Sequence, residues 1–97
     1  MRLVWSPRAQ ADLRRAYAFI ATESVSAAEE LVRRILQSAD QLLRFPSSGR
    51  PGRVAGTREL VLPQFPFIIP YRVRDDVIEI IAVMHAAREW PEEFDEL

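Results

Sequence analysis

The chain has 97 residues, enough for one domain with one modest core and too few for a second. It has no cysteine and a single histidine, His85, so it can build neither a disulfide framework nor a Cys/His zinc cluster. Its net charge is −1, and no apolar run approaches the roughly 20 residues that span a bilayer.

That small net charge hides an asymmetry. Residues 1–74 carry 12 of the 13 basic residues against 6 acids, while residues 75–97 carry Arg88 against 8 acids. Every basic residue is arginine. A GC-rich genome accounts for this bias without any function. Arginine nevertheless makes planar, bidentate contacts with carboxylates and phosphates that lysine cannot copy, so the arginine positions matter more than their total. The acids show no ligand-like spacing, and neither a metal nor a cofactor is expected. The N-terminus meets Pro7 and Arg8 before a signal-like apolar segment develops, so the expected location is cytoplasmic, with no membrane partner.

Leu3, Val4 and Trp5 suit a short first strand. Ser6-Pro7 reads as a helix start, with Ser6 the N-cap and Pro7 the first helical residue. Ala9, Leu13, Ala16, Tyr17 and Ile20 recur at helical spacing and predict a helix of about four turns. Thr22 to Val25 breaks it, and Ser26 with Glu29 predicts a capping box for the next helix. Leu31, Val32, Ile35, Leu36, Ala39, Leu42 and Leu43 form its apolar stripe. With so short a break, the two helices are expected to form an antiparallel hairpin.

Residues 46–56 hold all three glycines and predict a loop. The periodicity then falls to two. Thr57–Leu62 and Phe67–Arg74 read as strands separated by a turn at Pro63–Pro66. Pro70 lacks the N–H a ladder needs, which predicts an edge or a bulge there. Asp75-Asp76 is a tight turn, and Val77–Met84 is the most β-prone run. Strict alternation would place Ile78, Ile80, Ala82 and Met84 against the helices. Val77, Glu79, Ile81, Val83 and His85 would then form a mainly apolar outer face open to a partner. The expected fold is α+β, in the order β-α-α-β-β-β, with the hairpin packed on a small antiparallel sheet and a short acidic tail from Glu92 to Leu97.

Arg44, Arg50, Arg53 and Arg58 cluster around the glycine-rich loop, where they can receive phosphate or an acidic partner chain. Tyr71-Arg72 pairs an aromatic residue with a cation, although strand packing alone accounts for Tyr71. His85 and Arg88 together have the chemistry of an acid–base and anion-stabilising pair. The plainer reading is that His85 bonds to backbone and Trp90 covers the end of the sheet.

Taken together, several stretches resemble the RelE/ParE superfamily, the toxins of bacterial type II toxin–antitoxin pairs. They are Val4-Trp5-Ser6-Pro7-Arg8-Ala9 with Asp12-Leu13, Gly49-Arg50-Pro51-Gly52-Arg53 through Gly56-Thr57-Arg58-Glu59-Leu60, Phe67-Ile68-Ile69-Pro70-Tyr71-Arg72-Val73, and His85-Ala86-Ala87-Arg88-Glu89-Trp90-Pro91. The resemblance implies one toxin domain over residues 1–97 and the hairpin-on-sheet fold that the periodicity reaches independently. It also implies one of two activities. The RelE-like branch implies a metal-independent, ribosome-dependent mRNA endoribonuclease, whose site here would be Arg58, Tyr71, Arg72, His85 and Arg88. The ParE-like branch implies a non-enzymatic poison that binds DNA gyrase and is silenced by a cognate, ParD-like antitoxin in a hetero-oligomer.

The His85-x-x-Arg88-x-Trp90 end looks like the ParE branch. There is no lysine and no tyrosine after Tyr71, and a protein held on ribosomal RNA should be strongly basic. The expectation is therefore a ParE-like gyrase inhibitor without catalytic residues or direct specific nucleic-acid binding. Its partner-binding residues would be Arg50, Arg53, Arg58, Arg72, His85, Arg88 and Trp90. The ribonuclease and an inactive binding relative are the alternatives.

Overall fold

A computed structural model describes residues 1–94 of the chain. Strand β1 (Arg2–Trp5) leads into helix α1 (Pro7–Ala21) and, after a three-residue break, helix α2 (Val25–Gln41). Strands β2 (Arg50–Pro51), β3 (Arg58–Val61), β4 (Phe67–Arg74), β5 (Val77–Ile80) and β6 (Met84–His85) follow. The sheet order is β1-β5-β4-β3-β2, with β6 beside β4, and the two helices pack against one face.

The sheet is mixed rather than purely antiparallel. Strands β3, β4 and β5 are joined by tight connections and must alternate in direction. No hairpin ties β1 to its neighbour β5, and the pair runs parallel, with Trp5 opposite Ile80. That direction delivers Ser6 to the end of β5, where its amide donates to the Ile80 carbonyl at 3.0 Å. The Ser6 hydroxyl then serves both ends of the contact. It accepts from the Ala9 amide at 2.9 Å, capping α1, and donates to the Ile81 carbonyl at 2.8 Å. The expected cap of α1 is thus also a tie between helix and sheet.

Helix α2 starts earlier than the capping-box pattern suggests. Ser24, in extended conformation, is the N-cap and accepts from the Ala27 amide at 3.1 Å. Val25 is already helical, and Ser26 lies within the first turn. Leu31, Ile35, Ala39 and Leu42 of the stripe are fully buried, whereas Leu36 and Leu43 on its flank stay exposed. The main core joins these residues to Ala9, Ala16, Phe67, Ile69, Tyr71, Ile78, Ile80 and Val83.

Pro70 sits in the central strand β4, fully buried and not at an edge. The ladder adapts by a bulge in the strand opposite. Tyr71 pairs with Ile80 and Ile68 with Met84, so Ile69 and Pro70 face three residues, Ile81, Ala82 and Val83. The extra residue shifts the alternation by one. Beyond it, Val83 joins the helix-side core and His85 lies opposite Phe67. Ile81, Ala82 and Met84 instead form a second core on the outer face with Val54, Phe94 and, at its margin, Trp90. The expected division of Val77–His85 between faces therefore holds only up to Ile81, and Ala82, Val83, Met84 and His85 lie on the faces opposite to those expected. The outer face is also not open there, because the loop holding Val54 and the segment holding Trp90 and Phe94 cover it.

Candidate functional site: two arginine clusters and a cleft on helix α1

The glycine-rich loop is stapled to the sheet from several sides. Tyr71, 0% exposed, points its hydroxyl under the loop, where it donates to the Pro46 carbonyl at 2.8 Å and accepts from the Gly49 amide at 2.9 Å. A Cβ at Gly49 would fall 2.6 Å from the Tyr71 ring, so this close approach requires glycine. Arg58 donates to the Gly49 carbonyl at 2.8 Å and the Ser47 carbonyl at 3.3 Å.

Glu59, 2% exposed, is the acidic counterpart of the cluster. Its Oε1 accepts from Arg50 Nε at 3.0 Å, and its Oε2 accepts from the Arg53 amide at 2.9 Å and from Arg53 Nε at 3.2 Å. Burial raises its pKa, but the Arg53 amide and the two guanidinium groups outweigh burial and hold the carboxyl below its ordinary value. Glu59 thus gives Arg50 and Arg53 an acidic partner within the chain itself. Arg53 also lies over the Trp90 ring at 3.9 Å, which locks the loop to the C-terminal segment. Arg72 is paired with Glu79 at 2.7 Å across the β4–β5 ladder.

The predicted residues therefore separate into groups. Arg58 and Arg72 line one cavity of about 280 Å³ with Pro46, Thr57 and Val73. His85 and Arg88 line another, of about 170 Å³, with Asp12, Arg15, Phe19 and Phe67. Arg58 lies opposite Tyr71 and His85 opposite Phe67, four positions apart on β4, or about 13 Å along the strand. The five groups of a ribonuclease site do not converge on one point.

The second cavity shares Asp12, Arg15 and Arg88 with a larger one, of about 530 Å³, also lined by Arg8, Met84, Glu89, Trp90 and Pro91. Asp12 organises the floor they share. It is buried on α1, and its Oδ2 accepts from the Val83 amide at 3.1 Å, a backbone donor at the bulge. Its Oδ1 accepts from Arg15 Nη2 at 2.6 Å, and Arg8 Nε approaches Oδ2 at 3.6 Å. His85 Nδ1 accepts from the Ala87 amide at 3.1 Å, so the neutral ring carries its proton on Nε2. The imidazole edge meets Phe67 at 5.6 Å and Phe19 at 6.4 Å. Arg88 makes no ion pair and no side-chain hydrogen bond among the described residues.

Arg8, Asp12 and Arg15 escape a search for functional residues that begins in the glycine-rich loop. Their signal is the spacing i, i+4, i+7, which places them on one face of α1. A further recess of about 450 Å³ lies on the outer side of the hairpin, between Leu13, Arg14, Tyr17 and Val32. No helix of the described residues is long and apolar enough to cross a membrane.

Comparison with known proteins agrees with the geometry of the fold. Residues 3–90 match the family model described as ParE toxin of type II toxin-antitoxin system, parDE. The chain is 47% identical over 91 residues to a Sinorhizobium fredii protein named "Putative toxin Y4kP", covering 94% of each chain. It is 38% identical over 87 residues to Toxin RelE2 of Caulobacter vibrioides, covering 90% of this chain and 97% of that one. A solved chain from the chromosomal ParDE TA system of P. aeruginosa superimposes with a TM-score of 0.76 at 31% identity, covering 88% of this chain and 95% of that one. The chain belongs to the ParE toxin family of type II toxin–antitoxin systems.

Proposed function

We propose that this protein is a gyrase-directed toxin, kept silent by a cognate antitoxin and acting by binding rather than by cleaving RNA. The observation that carries the choice of binding is the dispersal of the five nuclease candidates. Tyr71 is sealed under the loop, Arg58 opposite it holds carbonyl groups, and Arg72 is paired with Glu79, whereas His85, which shares its cavity with Arg88, lies about 13 Å along the sheet from Tyr71. General acid–base chemistry at a 2′-hydroxyl needs its groups within hydrogen-bond reach of one ribose.

The antitoxin has a natural seat on the hairpin. The recess between Leu13, Tyr17 and Val32, with Leu36 exposed one turn further along α2, suits the apolar side of a partner helix. Arg14 at its edge, and the exposed sides of Arg50, Arg53 and Arg58, suit acids on the same partner. This pairing is tested by co-expression with the neighbouring gene. The antitoxin should co-purify with the chain and relieve its growth arrest; failure to bind would remove the antitoxin from the account.

One observation favours a second reading. His85 and Arg88 do share a cavity, and a close relative is named RelE2. On that reading, purified protein cuts mRNA on translating ribosomes, and His85→Ala and Arg72→Ala abolish the cut in folded protein. Intact mRNA with the native chain would dismiss it.

A further inference from the structure

We infer that the cleft between α1 and the segment after β6 is the surface with which this toxin grips its protein target. The group it takes is a carboxylate with an apolar side chain beside it. The inference rests on the protein acting by binding, and it names the residues that do so.

The cleft has more donors than acceptors. Arg8, Arg15 and Arg88 bring three guanidinium groups of five N–H donors each, and His85 adds Nε2–H. The Trp90 ring also lines the cleft, and its indole N–H is buried with no acceptor among the described residues. Against these stand the carboxylates of Asp12 and Glu89 and the Met84 Sδ, which accepts from Arg8 Nη2 at 3.3 Å. Asp12 is spent, because its oxygens are taken by the Val83 amide, Arg15 and Arg8. The same contacts anchor Arg15 and Arg8, the latter also lying over the Phe94 ring at 5.4 Å, while leaving their side chains 68% and 48% exposed. A group that only accepts, such as a carboxylate or a phosphate, complements this lining.

Two features favour a protein carboxylate over the phosphates of a nucleic acid. A nucleic-acid strand is tracked by an extended positive groove, whereas Glu89 lies in this wall and Glu92 and Glu93 follow directly after it. The mouth is apolar. Phe19 is 60% exposed and stands beside Phe67 and the His85 ring, which provides a seat for an aliphatic or aromatic neighbour of the acid. Arg72 is only 11% exposed in its pair with Glu79, and Arg58 is engaged with loop carbonyls, while Arg50 and Arg53, held by Glu59, keep the exposed sides assigned above to the antitoxin.

The full chain is titrated with an acetylated Asp-Phe-Asp-Leu amide peptide, with its Asn-substituted counterpart and with a short single-stranded oligonucleotide. The readout is the NMR resonances of the Val83 and Ala87 amides and the Trp90 indole. The acidic peptide should shift these resonances saturably, and the Asn peptide should bind about tenfold more weakly. Arg15→Ala and Arg88→Ala, both at exposed positions compatible with folding, should each weaken the acidic peptide by about the same factor. Arg33→Ala, which removes the same charge from α2, should not. A response to the oligonucleotide alone, to no probe, or equally in all three variants would overturn the inference.

Gyrase separates this inference from the proposed function. If the Arg15→Ala and Arg88→Ala proteins inhibit gyrase as strongly as the native chain, the cleft assignment falls and the function stands. If the native chain takes the acidic peptide and leaves gyrase untouched, the gyrase target falls and the cleft stands.

Discussion

Glu59 is the single side chain on which the glycine-rich loop depends most. Its depressed pKa has a defined consequence for stability. The contribution is fully present above the ordinary value of 4.5 and is lost as pH falls through the lower folded value. Replacing Glu59 with Gln should destabilise the protein by about 1–3 kcal/mol near pH 7, the range for hydrogen bonds to a charged group. In acid the difference should shrink, because the native carboxyl is protonated there too. Urea melts at pH 7 and pH 3 check this; a constant difference would show that the charge is not what matters. Tyr71→Phe tests the other staple. The buried Gly49 amide and the part-buried Pro46 carbonyl lose their partner, at a cost of about 1–3 kcal/mol for the amide if no water replaces it. Amide exchange at Gly49 should rise, while binding of the antitoxin to the hairpin stays unchanged.

At the scale of elements, the chain is arranged around one proline. Pro70 has no N–H to give the ladder, the facing strand bulges, and the bulge presents Ile81 and Val83 backbone groups to α1. Ser6 and Asp12 meet those groups, so a strand irregularity becomes a helix–sheet joint. Asp12→Ala should cost about 2–4 kcal/mol, because it strands a buried amide and releases two arginines, and Val83 should lose its protection in hydrogen exchange. Little change in either would mean that water satisfies Val83 instead.

The same bulge marks how far periodicity can be read. The helix stripe, the Ser6 cap, the extent of β4 and the irregularity at Pro70 are all local signals and are legible in the sequence. Which strand would bulge is not local, since the extra residue lies eleven positions away in Ile81. The faces of Ala82, Val83, Met84 and His85 were therefore reversed by simple alternation. The direction of β1 is likewise settled only by its distant contact with β5. For the site, residue chemistry marked His85, Arg88 and the loop arginines. It could not show that Glu59 already occupies Arg50 and Arg53, or that Asp12 brings Arg8 and Arg15 beside Arg88, because those partners meet only in the folded chain.

The molecule as a whole presents two unlike surfaces. The hairpin side offers an apolar recess at Leu13, Tyr17 and Val32 for an antitoxin helix. The opposite face of α1 offers the cationic cleft at Arg8, Arg15 and Arg88, bounded by the Trp90 segment. An antitoxin whose helix and extended segment reach both would silence the toxin by occupying its gripping surface. A nearly neutral chain suits a protein target reached through a few oriented arginines better than a ribosomal RNA target reached through bulk charge. The most direct test is a titration of the purified chain against DNA gyrase in a supercoiling assay, with mRNA integrity on translating ribosomes followed in parallel. Loss of supercoiling that saturates as the toxin approaches the amount of gyrase, with mRNA intact, is the predicted result. Unimpaired supercoiling with mRNA cut by trace amounts of the chain would contradict the account and make His85 and Arg88 parts of a nuclease.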